Sequence, residues 1–178
     1  MKCANYRGIT LLNIAYKIRT AILYRKLLPY VEKEIGHYQC GFRTGKSTID
    51  QIFILKQILE KTNEFNINTH HLFIDFKAAY DSINRKQLIL AMIQFNFPSK
   101  LIRLIRMTLE EVKCKVKIQN NLGNEFECNT GLRQGDALSC LLFNIALEKV
   151  VRDSELQREI EPYSPNPYSY LAMQMMWT

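Results

Sequence analysis

Asp75 closes the short apolar run Leu72-Phe73-Ile74, so its carboxylate would stand at the end of a buried strand, where a sheet edge opens to ligands and an oxygen can meet a hard cation such as Mg²⁺. One carboxylate is a weak signal, because two-metal phosphoryl transfer needs ions about 3.5–4 Å apart bridged by at least two acids. Asp81 is the nearest second acid, although an N-cap role explains it equally well, and Glu110-Glu111 reads as a solvated helix end. Gly131-Leu132-Arg133-Gln134-Gly135 sets two glycines, an Arg and a Gln in a tight connection before an apolar helix. Glycines let a backbone approach closely and Gln134 offers both donors and acceptors, but a turn with a helix cap accounts for the pattern too. Gly41 to Ser47 ends in Gly-Lys-Ser yet has three residues between its glycines where a phosphate-binding P-loop needs four, and no buried strand precedes it. An ATPase is excluded. His37, His70 and His71 lack metal-ligand spacing, and Cys3, Cys40, Cys114, Cys128 and Cys140 contain no Cys-x-x-Cys pair.

The elements that must position these residues follow from periodicity. Leu11, Leu12, Ile14, Ala15, Ile18, Ala21 and Ile22 recur at helical steps and predict a helix over 9–28 that Pro29 interrupts or restarts. Gly36 to Gly45 is a loop. Ser47 with Asp50 resembles a capping box opening a helix with Ile49, Ile52, Phe53, Leu55, Ile58 and Leu59 on its apolar face. A buried strand is expected at 72–74, a turn at 77–82, and a pair of helices over 86–96 and 99–112. Val112, Cys114, Val116 and Ile118 alternate with Lys113, Lys115, Lys117 and Gln119, which predicts a half-exposed strand with a basic outer face. A turn at 120–123, a return strand at 124–129 and a helix over 138–156 complete the reading.

Composition bounds the class. The chain has 178 residues, 47% hydrophobic and 23% charged, which excludes collagen-like and wholly disordered sequences. No apolar run approaches the roughly 18 residues of a bilayer span, so a soluble, intracellular protein of the cytoplasm or nucleus, without membrane partners, is expected. Of the +7 net charge, residues 1–60 hold ten Lys and Arg against four Asp and Glu, with no acid before Glu32. That third would present a positive field to a phosphate backbone, or simply a solvated basic helix. Residues 162–178 carry no charged side chain and three of the five prolines, so a disordered tail is expected there.

Four ordered blocks join these pieces: Asn5 to Leu12, Gln39 to Arg43, Phe73 to Ser82, and Gly131 to Gly135 with Leu138 to Asn144. Together they resemble the reverse transcriptases of non-long-terminal-repeat retrotransposons. The resemblance implies an α+β fold, helix-rich with a small antiparallel sheet: the fingers (1–69) and partial palm (70–161) of a right-hand polymerase. It implies RNA template, DNA primer and deoxynucleotide triphosphates as partners, with Mg²⁺ as cofactor. By the same resemblance Asp75 matches a catalytic metal ligand, with the main-chain carbonyl of Phe76 beside it. Tyr80 matches the aromatic gate under the incoming sugar, and Gln134 and Gly135 match the nucleotide-contacting loop. Arg43 and Arg133, with the basic Lys17, Arg25 and Lys26, are candidates for nucleic-acid contact. The family's Ala/Tyr-x-Asp-Asp hairpin has no counterpart here, which predicts a chain truncated before that motif and, with one of three carboxylates, negligible polymerase activity. A noncatalytic basic nucleic-acid-binding remnant, using also Lys113, Lys115 and Lys117, is the alternative.

Overall fold

The computed structural model describes residues 8–69, 71 and 73–154. In chain order the elements are α1 (Ile14–Glu34), α2 (Thr48–Glu64), α3 (Arg85–Gln94), α4 (Ser99–Leu109), β1 (Lys113–Ile118), β2 (Asn121–Glu127) and α5 (Ala137–Asp153). The chain is helix-rich, and β1 and β2 form a two-stranded antiparallel sheet. The described residues divide into two compact units, one made of 8–34 with 77–146 and the other of 35–76 with 147–154.

In the first unit α4 packs against both α1 and α3, as expected of the paired helices. α4 is strongly two-sided: Ile102, Ile105, Thr108 and Leu109 are buried while Arg103 and Arg106 face out. α3 begins where Asn84 accepts hydrogen bonds from the Lys86 and Gln87 amides at 3.0 and 3.2 Å, and buries Leu88, Ile89, Ala91 and Met92. Leu138, Leu141, Leu142, Phe143, Asn144 and Ile145 are all buried on α5, so that stretch is apolar nearly all round.

α1 departs from expectation three times, first by starting at Ile14 where a start at residue 9 was expected. It runs through Pro29 to Glu34, since proline removes one donor from the helical ladder but its ring can sit on the exposed side. The buried stripe is Thr20, Leu23, Leu27 and Val31, and the face expected to be inside is outside: Ile14, Ile18 and Ile22 are 77%, 58% and 55% exposed. Both stripes run at helical three- and four-residue steps, so periodicity alone does not choose between them; tertiary packing does.

The hairpin is tighter than expected. Ile118 pairs with Asn121, so Gln119 and Asn120 alone make the turn, Gln119 at φ 54°, and the return strand starts at Asn121. A register shift between Lys115 and Lys117 marks a bulge. The expected apolar inner face is covered at its open end, where Val112 is buried and Cys114 half-exposed, while Val116 and Ile118 toward the turn are exposed. Nor is the outer face simply basic, since Glu125 lies 3.3 Å from Lys113 and 3.7 Å from Lys115.

The second unit contains α2, started by Ser47, whose hydroxyl accepts from the Ile49 amide at 3.1 Å. No residue of α2 is fully buried: of its expected apolar face, Leu55 and Ile58 are half-buried while Ile49, Ile52, Phe53 and Leu59 are exposed. The strand expected at 72–74 is also not formed: Phe73 and Ile74 are exposed and irregular, and Leu72 lies outside the described residues. An apolar tripeptide becomes a buried strand only when neighbouring strands take up its backbone groups, and the described strands pair with each other. The block at 5–7, His70, the helical continuation to residue 156 and the tail at 162–178 also lie outside the described residues.

Candidate functional site

In the first unit the Gly131–Gly135 loop is laid along the turn that follows residue 76. The Gly131 amide donates to the Ile83 carbonyl and the Leu132 amide to the Tyr80 carbonyl, both at 2.8 Å. Gly131 sits at φ +78°, and a Cβ there would come within 2.8 Å of the Asp81 backbone, so glycine is required on both counts. Asp81 caps nothing; the α3 cap is Asn84. At the far end of the loop the Thr10 amide donates to the Gln134 carbonyl at 3.2 Å, leaving the Gln134 side chain half-exposed and Gly135 exposed. Asp136 then starts α5, its carboxylate accepting from the Leu138 amide at 3.2 Å.

Tyr80 stands where the turn meets α5. Its ring stacks on Phe143 with centroids 5.0 Å apart, and its hydroxyl lies 3.4 Å from Cys140 Sγ. Burial, and then the hydrogen bond to Cys140, push its pKa well above the ordinary tyrosine value. The ring is fixed in place by stacking and remains half-buried, which suits a rigid platform.

Two arginines lock the loop from behind. Arg133 donates to the Thr108 carbonyl at 3.0 Å and to the Tyr16 hydroxyl, and its guanidinium lies 4.6 Å from the centroid of the Tyr16 ring. Burial raises the Tyr16 pKa, and Arg133 pulls against that rise. Arg85 reaches the carbonyls of Leu109 at 2.8 Å, Cys128 at 2.6 Å, Thr130 at 2.9 Å and Gly131 at 2.8 Å. Thr108 and Leu109 are the last residues of α4, whose terminal carbonyls have no helical partner. Both arginines therefore put positive charge at the negative end of α4 while bridging it to the loop. Arg85 and Tyr16 escaped the sequence reading: a surface-pattern Arg after a helix cap carries no mark of four distant carbonyls.

In the second unit Arg43 is buried. Its guanidinium donates to the carbonyls of Gly36 at 2.8 Å and Gln39 at 2.9 Å, so it organises the loop before α2 from inside. Glu148, also buried and also missed, accepts from the Gly36 amide at 3.1 Å, the Tyr38 hydroxyl at 2.7 Å and Arg152 at 2.9 Å. Asp75 and Phe76 fall in this unit, both exposed and outside any strand, whereas Tyr80, Gln134 and Gly135 belong to the first unit. Among the described residues no three His, Cys, Asp or Glu side chains gather as a metal-holding group. Lys17, Arg25 and Lys26 are exposed on α1, and none is in an ion pair among the described residues. Among those residues no helix is long and apolar enough to cross a membrane.

Residues 2–164 match the family model described as reverse transcriptase (RNA-dependent DNA polymerase). The chain is 24% identical over 144 residues to the transposon TX1 uncharacterized 149 kDa protein of Xenopus laevis, covering 81% of this chain and 11% of that protein. It is 25% identical over 143 residues to a probable RNA-directed DNA polymerase from transposon BS of Drosophila melanogaster, covering 79% of this chain and 16% of that protein. Over 79 residues it is 29% identical to a Pol polyprotein from the type-1 retrotransposable element R2 of Nasonia vitripennis, covering 44% of this chain and 8% of that one. The chain thus spans only a small part of each relative.

Proposed function

This chain belongs to the reverse transcriptase family, and from that premise we propose that it forms the fingers (1–69) and part of the palm (70–161) of a right-hand, RNA-directed DNA polymerase of a retrotransposon. Its partners in this reading are an RNA template, a DNA primer and deoxynucleotide triphosphates, met in the cytoplasm or nucleus. The observation that carries the reading is the double hydrogen bond that lays Gly131-Leu132 along Tyr80 and Ile83. It fixes a stacked aromatic ring and the Gln134-Gly135 tip, half-exposed and exposed, in one unit, a suitable floor and wall for a nucleotide. Tyr80 would bear on the sugar, and Gln134 and Gly135 on the base and template. Lys17, Arg25 and Lys26 would meet phosphates. Arg43 and Arg133 serve nucleic acid indirectly, by shaping the loops they hold.

Asp75 and the Phe76 carbonyl are what the chain offers a Mg²⁺ ion. One carboxylate and one carbonyl do not fit a two-metal centre, whose ions need several anionic oxygens to offset their repulsion. The chain by itself is expected to extend no primer: purified residues 1–178 on a primed RNA template should match an Asp75→Ala control. Extension above that control overturns the expectation. RNA affinity that falls steeply with salt and drops when Lys17, Arg25 and Lys26 are neutralised supports the template role; salt-independent binding removes it.

A further inference from the structure

Cys114 and Cys128 bring two thiols together in a place that the proposed polymerase role does not use. Cys114 stands on β1 opposite Phe126. Cys128, one residue beyond β2, continues the ladder by donating its amide to the Val112 carbonyl at 2.8 Å. Side chains two residues apart on a strand share a face, so the two cysteines are diagonal neighbours on one face of the ribbon. Both are free and half-exposed, and burial, then the neighbouring Cys128, raise the Cys114 pKa. Arg85 Nη2 lies 3.8 Å from Cys128 Sγ, which donates in turn to the Thr130 carbonyl at 3.4 Å.

We propose that Cys114 and Cys128 are a hydroperoxide-responsive thiol pair that closes to an intramolecular disulfide across the open end of the hairpin. In the first step a thiolate sulfur attacks one peroxide oxygen and the O–O bond breaks. The sulfur becomes a sulfenic acid, and the other oxygen leaves as water after taking a proton. In the second step the neighbouring thiolate attacks that sulfur, the S–S bond forms, the S–O bond breaks, and the hydroxyl leaves as a second water. Two sulfurs together lose two electrons, and one peroxide gains them. Diagonal placement on one face of the ribbon lowers the ordering cost of the second step, which is what distinguishes a pair from separate cysteines.

Closure reaches the loop. Diagonal positions on a flat ladder lie about 7–8 Å apart at Cα, and a disulfide requires less than about 7 Å, so the bond draws Cys128 toward β1. Cys128 lies beyond the strand, and its carbonyl shares the Arg85 guanidinium with those of Thr130 and Gly131. Oxidation therefore shifts the entry to the Gly131–Gly135 loop.

The reduced, purified chain is treated with hydrogen peroxide and digested without reductant for peptide mass mapping. A linked peptide joining Cys114 to Cys128 within one chain is expected, with these thiols lost about ten-fold faster than those of Cys40 and Cys140. Cys114→Ser and Cys128→Ser should each abolish the link and leave the remaining sulfur trappable as a sulfenic acid. Loss of all thiols at one common rate, links to other cysteines, or links between chains would overturn the pair. Hydrogen exchange over residues 128–135 should change on oxidation of the wild-type chain; unchanged exchange overturns the coupling to the loop. None of these readouts depends on polymerase activity.

Discussion

Gly131 and Leu132 are gripped on one side by Ile83 and Tyr80 and on the other by Arg85, while Asp75 and Phe76 are exposed in irregular backbone. The loop's conformation is over-determined by bonds that its own unit supplies. The segment around Asp75 has the composition of a strand but forms none, and its one chemically decisive side chain faces water. A residue fixed by its own unit can be pre-organised in isolation. A carboxylate whose backbone needs strand partners acquires its geometry only when those partners are present.

The contrast is tested first at Arg85. Arg85→Ala removes the donor to four carbonyls that water recovers only in part, and should cost about 3 kcal/mol in urea unfolding. A loss under about 1 kcal/mol would mean that the loop holds itself. Gly131→Ala comes next: positive φ and the Asp81 backbone together predict about 2 kcal/mol, with a lower midpoint by circular dichroism. Alkaline pH probes the tyrosines behind the loop. Tyr16 and Tyr80 both hold their protons more tightly folded than unfolded. Their contribution is complete below the ordinary tyrosine pKa and is lost as pH rises through and above it. Thermal midpoints should therefore fall as pH rises above about 10, and less so in Tyr80→Phe. Asp75→Asn should be the smallest effect, within about 0.5 kcal/mol, because the side chain is exposed; a larger change would show that the carboxylate already has a structural role.

Local signals in the sequence located most helices, the α3–α4 pair, the cap at Ser47 and the glycine-bounded loop, since each depends on residues within a turn or two. Faces and partners were less legible. Ile14, Ile18 and Ile22 compete with Leu23, Leu27 and Val31 for the inside of α1 under the same four-residue repeat. The mostly exposed helix α2 has an apolar pattern that would normally be read as a core face. Arg43 and Arg133 were placed near nucleic acid by resemblance, and what the resemblance does not carry is that their guanidinia bond backbone carbonyls and a tyrosine. Arg85 and Glu148 act on groups far away in the chain, and no spacing rule encodes such distances.

The bulge between Lys115 and Lys117 bears on solubility. Among the described residues the ribbon has unpaired outer edges and shows Val116, Ile118, Leu122 and Phe126 to solvent, a combination that invites edge-to-edge stacking into fibrils. An extra residue near Gly123 breaks the flat repeat that such growth requires, and flanking lysines and glutamates resist the approach of a second ribbon. The irregularity acts as a gatekeeper, keeping a hairpin exposed toward its turn from recruiting copies of itself.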